Sequence, residues 1–116
     1  MQSNRDRIKE MIEHISTFND ADPGEGISRF SYSENDAKAR KYLIDICEEI
    51  GLKVRVDAVG NVFARLVGTD ESLPVVMSGS HIDSVKNGGR FDGLVGSIGA
   101  LEAVRVMVEE GYQPKN

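Results

Sequence analysis

One stretch of the chain concentrates groups able to do chemistry. Residues 79–93 read Gly-Ser-His81-Ile-Asp83-Ser-Val-Lys-Asn-Gly-Gly-Arg-Phe-Asp92-Gly, with one imidazole, two carboxylates and four glycines. An imidazole nitrogen and carboxylate oxygens are ligands that Zn²⁺, Mn²⁺, Co²⁺ or Ni²⁺ accept. The spacing of His81 and Asp83 lets a carboxylate fold back to one ring nitrogen, which fixes the tautomer of a metal-bound histidine. Asp92, brought close by a turn at Gly88-Gly89, could offer a second ligand or bridge two metals. Each residue also has a plainer reading. His81 could be a hydrogen-bonded histidine at a strand end, Asp83 a turn residue bonded to its own backbone, and Asp92 the N-cap of a following helix. Gly88-Gly89 could serve only to allow positive φ. Their meeting on one strand-to-helix loop favours the chemical reading, because open α/β sheets place ligand sites beyond the carboxyl ends of their strands.

The elements that must hold this loop follow from hydrophobic periodicity. Ile8, Met11, Ile12, Ile15 and Phe18 mark one face of a first helix, with Asn4 or Asp6 available as its cap. Residues 19–32 combine Pro, Gly and short polar side chains and read as a long loop. Ser33-Glu-Asn-Asp36 has the form of a capping box with Asp in the usual Glu position, and Ala39, Leu43, Ile46, Cys47 and Ile50 trace a second helix that Gly51 ends. Leu52 to Ala58 alternate apolar and polar residues, Val59-Gly60-Asn61 reads as a turn, and Val62 to Val67 return as the second strand of a hairpin. The segment from Leu73 to Gly79 is apolar without alternation, which predicts a third strand buried on both faces. Leu94 to Val108 predicts a third helix that is apolar nearly all round, with only Glu102, Arg105 and Glu109 as a polar stripe. So thinly wetted a helix expects more covering protein than a chain of 116 residues easily supplies. The order α, α, β-hairpin, β, α is an α/β pattern broken off after its first crossover helix.

Composition narrows the partners. With 14 Lys+Arg against 19 Asp+Glu the net charge is −5, and no basic cluster offers a nucleic-acid footprint. No apolar run approaches a membrane span, and the first residues lack the apolar core of a secretory signal. The single Cys47 has no partner for an internal disulfide, so a reducing, cytoplasmic setting is expected. Length limits the chain to one compact domain, without room for a second domain and an enclosed cleft between them.

The 79–93 string resembles the first metal-binding segment of the hydantoinase/carbamoylase branch of the M20 metallopeptidase-like amidohydrolases. The likeness extends upstream through Ile27-Ser-Arg-Phe-Ser-Tyr-Ser-Glu34, Asp36-Ala-Lys-Ala-Arg40, Gly51-Leu-Lys-Val-Arg-Val-Asp57 and Gly60-Asn61, and covers roughly residues 25–112. The short link from Asp83 to Asp92 favours the carbamoylase branch over true peptidases. This resemblance implies the N-terminal portion of a zinc-peptidase-like catalytic domain, a mixed sheet with flanking helices in the order α-α-β-β-β-α. It implies two divalent metal ions (Zn, Mn, Co or Ni), with His81 a ligand of one, Asp92 bridging both and Asp83, assigned a catalytic role, orienting His81. The implied reaction is hydrolysis of N-carbamoyl-L-amino acids at a linear C–N bond, and the implied partner is a small carbamoyl or ureido substrate.

Members of this branch are considerably longer. The resemblance makes residues 1–116 a single incomplete part of the catalytic domain. The Glu-Glu pair, two further metal-binding histidines and the lid or dimerisation domain are then absent from it. Glu109-Glu110 imitates the catalytic pair but sits at a solvated helix end, and His14 reads as a solvated helix residue. Arg29 and Arg90 could bind an anion, although an exposed arginine ordinarily needs no partner beyond water. The chain alone is therefore expected to be inactive and, with uncovered apolar surface, to form a homo-oligomer. Allantoate or ureidoglycolate amidohydrolase, an M20 aminoacylase or peptidase, and a non-catalytic α/β binding module are the alternatives.

Overall fold

The computed structural model describes residues 1–116, with three helices and one two-stranded sheet. Helix α1 spans Arg5–Ser16, and Asn4 caps it by accepting the Arg7 N–H on its side chain. Helix α2 spans Glu34–Glu49 behind the N-cap Ser33, whose hydroxyl accepts from the Asp36 N–H. The reciprocal half of the expected capping box is displaced by one residue: the Asp36 carboxylate takes the N–H of Tyr32 instead and pairs with Arg40. At the other end Gly51 has φ +85°, with Gly51 N–H on Glu48 C=O and Leu52 N–H on Cys47 C=O, a Schellman closure that only a left-handed residue completes cheaply.

Strands β1 (Lys53–Val56) and β2 (Val62–Arg65) pair antiparallel, with Lys53 opposite Arg65 and Val56 opposite Val62. Asp57 organises the turn between them by accepting from the N–H groups of Val59 and Asn61 and from the Asn61 side chain. Helix α3 spans Leu94–Glu109. Met11, Ile12 and Ile15 of α1, Ala39 and Ile46 of α2, and Leu94 and Ile98 of α3 form one core, so the three helices enclose it together.

Two expectations are corrected here. Residues 73–79 form no third strand: the sheet has two strands, and Val75, Val76 and Met77 are 58%, 83% and 72% exposed rather than buried on both faces. An apolar run becomes a strand only beside a neighbour that takes its N–H and C=O groups, and both hairpin strands bond only each other. The polar stripe of α3 is also not a solvent face. Glu102 is 1% exposed and accepts from Arg7 Nε at 2.8 Å, Arg7 Nη2 at 2.8 Å and the Asn4 N–H at 2.7 Å, while Arg7 also reaches Glu109. Glu102 thus fastens the start of α1 to α3 through a buried charge pair.

Candidate metal centre

The loop that carries His81 is built by a second loop lying against it. Ile27 and Gly88 exchange both backbone hydrogen bonds, at 3.0 and 2.8 Å, in an isolated antiparallel bridge. Gly26, at φ +88°, permits this approach, since a Cβ there would meet the Gly88 carbonyl oxygen at 2.6 Å. Ser84 adds three ties: its hydroxyl donates to Ile27 C=O and accepts the Arg29 N–H, and its own N–H donates to Arg29 C=O. The 19–32 segment, which composition marks only as a long loop, therefore serves as a buttress.

Arg29 stands apart from its expected role. It is 3% exposed, and its guanidinium spends every contact on carbonyls: Nε and Nη2 on Ile82 at 2.9 and 2.7 Å, Nη1 on Ile15 and Phe18 at 3.0 Å each. Burial lowers its pKa from the ordinary arginine value, against the opposing influence of Asp36 and Asp83. It is neither a solvated residue nor an anion site but a clamp between the end of α1 and the His81 loop. Arg90 is exposed beside Phe91.

Within the loop, His81 and Asp83 meet. The Nδ1 atom of His81 lies 3.1 Å from Asp83 Oδ1 and 3.1 Å from the Asp83 carbonyl oxygen. Two acceptors at one nitrogen favour the tautomer protonated on Nδ1, in which Nε2 keeps its lone pair. Nε2 lies 3.9 Å from Asp92 Oδ2. The plainer reading of Asp92 is overturned: the N-cap of α3 is Gly93, no side chain caps it, and the Asp92 carboxylate is 84% exposed. Gly88 and Gly89 do not take positive φ either; Asn87 (φ 52°) and Gly93 (φ 66°) make the two left-handed bends of this loop. Gly93 has a further reason to be glycine, because a Cβ there would fall within the His81 ring. Spacing alone could not reveal that requirement.

The donor set fits a divalent cation: an imidazole nitrogen backed by a carboxylate, facing a second carboxylate that nothing else engages. No group of three or more His, Cys, Asp and Glu side chains placed to hold a metal ion gathers anywhere in the chain, so these residues do not by themselves complete a coordination shell. The decoys are accounted for. Glu109 bonds Arg7 and Arg105, Glu110 pairs with the terminal ammonium at 3.2 Å, and His14 stacks on Tyr42 at 4.3 Å.

No protein-family profile matches the chain. It is 47% identical over 107 residues to the N-carbamoyl-L-amino-acid amidohydrolase of Paenarthrobacter aurescens, covering 92% of this chain and 26% of that protein. It is 41% identical over 110 residues to the ureidoglycolate hydrolase of Oryza sativa subsp. japonica, covering 95% of this chain and 22% of that protein. Among solved structures it superposes on a hydantoinase/carbamoylase family amidase from Burkholderia ambifaria with a TM-score of 0.89 at 34% identity, covering 95% of this chain and 27% of that one. The chain thus resembles hydantoinase/carbamoylase-type amidohydrolases along nearly its whole length while spanning about a quarter of theirs.

Proposed function

We propose that this chain supplies one flank of the dinuclear metal centre of an amidohydrolase that cleaves N-carbamoyl-L-amino acids. The observation that carries the reading is the free Asp92 carboxylate set against His81 Nε2, with Asp83 occupying the other ring nitrogen. His81 would hold one of two divalent cations, Zn, Mn, Co or Ni, and Asp92 would serve both. Bound there, the cations supply Lewis-acid activation of water and polarisation of the carbamoyl carbonyl. Asp83 keeps the proton on Nδ1 and so presents Nε2 as a lone pair. Asp92 places negative charge beside it, and Gly93 leaves room for the ring to lie across the start of α3.

The carbamoyl reading follows from the short Asn-Gly-Gly-Arg-Phe-Asp link; relatives named for carbamoyl, ureidoglycolate and allantoate substrates overlap in identity, at 34–47%, 41% and 40%, and hydrolysis of ureidoglycolate or allantoate is the second reading. As for location, no helix is long and apolar enough to cross a membrane.

The test is a graft in which this chain replaces the matching 107 residues of the Paenarthrobacter relative. The graft should hydrolyse N-carbamoyl-L-amino acids with added Mn²⁺ or Zn²⁺ and lose activity in His81→Ala. A folded, metal-loaded graft that turns over no carbamoyl or ureido substrate would refute the assignment. The 116-residue chain alone should be inactive, since two candidate ligands cannot hold two cations.

A further inference from the structure

We propose that Arg29 is a positioning residue that sets the tautomer and aim of His81. The inference rests on His81 as a metal ligand, and it assigns a role to the most deeply buried cation beside the site. The Ile82 carbonyl belongs to the peptide joining Ile82 to Asp83, so its direction fixes where Asp83 leaves the chain relative to the ring. Arg29 is the group that fixes it, with two N–H donors converging on that one oxygen at 2.9 and 2.7 Å. The anchor does not float. Arg29 Nη1 is held by the carbonyls of Ile15, in the last turn of α1, and of Phe18, two residues past its end, at 3.0 Å each. Its backbone N–H and C=O are both taken by Ser84, two residues past Ile82. Helix α1 is in turn part of the core. A rigid path therefore runs from α1 through one guanidinium to the carbonyl between His81 and Asp83, and from Asp83 to His81 Nδ1. Lysine cannot reproduce it, because one ammonium cannot face Ile82 and the Ile15 and Phe18 carbonyls in the same planar fork.

The consequence is read on the imidazole without metal, substrate or turnover. Nitrogen NMR of the ¹⁵N-histidine chain at about pH 9, above the ordinary imidazole range, reports which ring nitrogen carries the proton. The wild-type chain should show His81 in the Nδ1–H form. Arg29→Lys should lose that form in favour of Nε2–H, with His14 unchanged as the internal reference. Ile46→Val, a core truncation away from the loop, controls for lost stability and should leave His81 unchanged. In the grafted enzyme, Arg29→Lys should weaken metal affinity about 10–100-fold, as loss of a ligand's supporting contacts does. Wild-type His81 in the Nε2–H form would overturn the proposal even if no Arg29 variant folded. So would an Arg29→Lys spectrum that matches wild type, or an equal change in Ile46→Val. Failure of the metal reading looks different: Mn²⁺ would then leave the wild-type His81 signals unbroadened while the tautomer result stood.

Discussion

Asp83 Oδ1 lies 3.1 Å from Nδ1 of His81, and this contact decides which ring nitrogen can face Asp92. The two aspartates therefore have different work. In the grafted enzyme Asp83→Asn should cost about 10–100-fold in activity or metal affinity, the usual loss when a ligand's partner is weakened. Asp92→Asn should cost far more, because it removes charge from the side chain assigned to both cations. Equal losses at matched metal occupancy would remove the bridging role. The isolated chain should bind Zn²⁺ weakly, and calorimetry showing sub-micromolar affinity that vanishes in His81→Ala would contradict a two-ligand flank.

Gly93→Ala should perturb the site and the fold together. The position has φ 66° and ψ −48°, and a Cβ would enter the His81 ring. Backbone strain of this kind costs about 1–3 kcal/mol. Urea unfolding should show a loss of that order, and the His81 ring signals should move. Gly89→Ala, where a Cβ meets nothing within 4 Å, should do neither.

Arg7 ties the α1 start to α3, and its removal should be felt mainly above acid pH. Burial works to raise the Glu102 carboxyl, but its bonds from Arg7 and the Asn4 N–H bring it below the ordinary glutamate value. The same guanidinium lowers Glu109. Carboxyls lowered in the folded state contribute stability that is full above their unfolded pKa, about 4.3, and is lost as pH falls through the folded value. Arg7→Met should destabilise the chain by about 3 kcal/mol at pH 7, since it strands a buried carboxylate. The gap to wild type should close below about pH 4. A gap independent of pH would mean that Arg7 acts through packing alone.

The exposed run Val75, Val76 and Met77 should make the isolated chain self-associate. Sedimentation at micromolar concentration should show a dimer or larger species, and Val76→Lys with Met77→Lys should return it to monomer. A wild-type monomer would mean that this surface is tolerated in water.

What the sequence determined is local. Helix faces, the Ser33 and Gly51 boundaries and the hairpin each depend on residues within a few positions of one another, so periodicity and capping chemistry exposed them. The company of His81, Asp83 and Asp92 was legible for the same reason, since one loop of 15 residues holds them all. What tertiary structure decided depends on distant partners. Glu102 reads as a wetted residue until Arg7, 95 positions away, neutralises it in the interior. Arg29 reads as a surface cation until the carbonyls of Ile15, Phe18 and Ile82 surround it. The run at 73–79 reads as a buried strand, yet a strand is a property of a pair of segments, and the two strands of this chain bond only each other. A buried charge or a sheet neighbour is a relation between remote segments, and no local pattern encodes it.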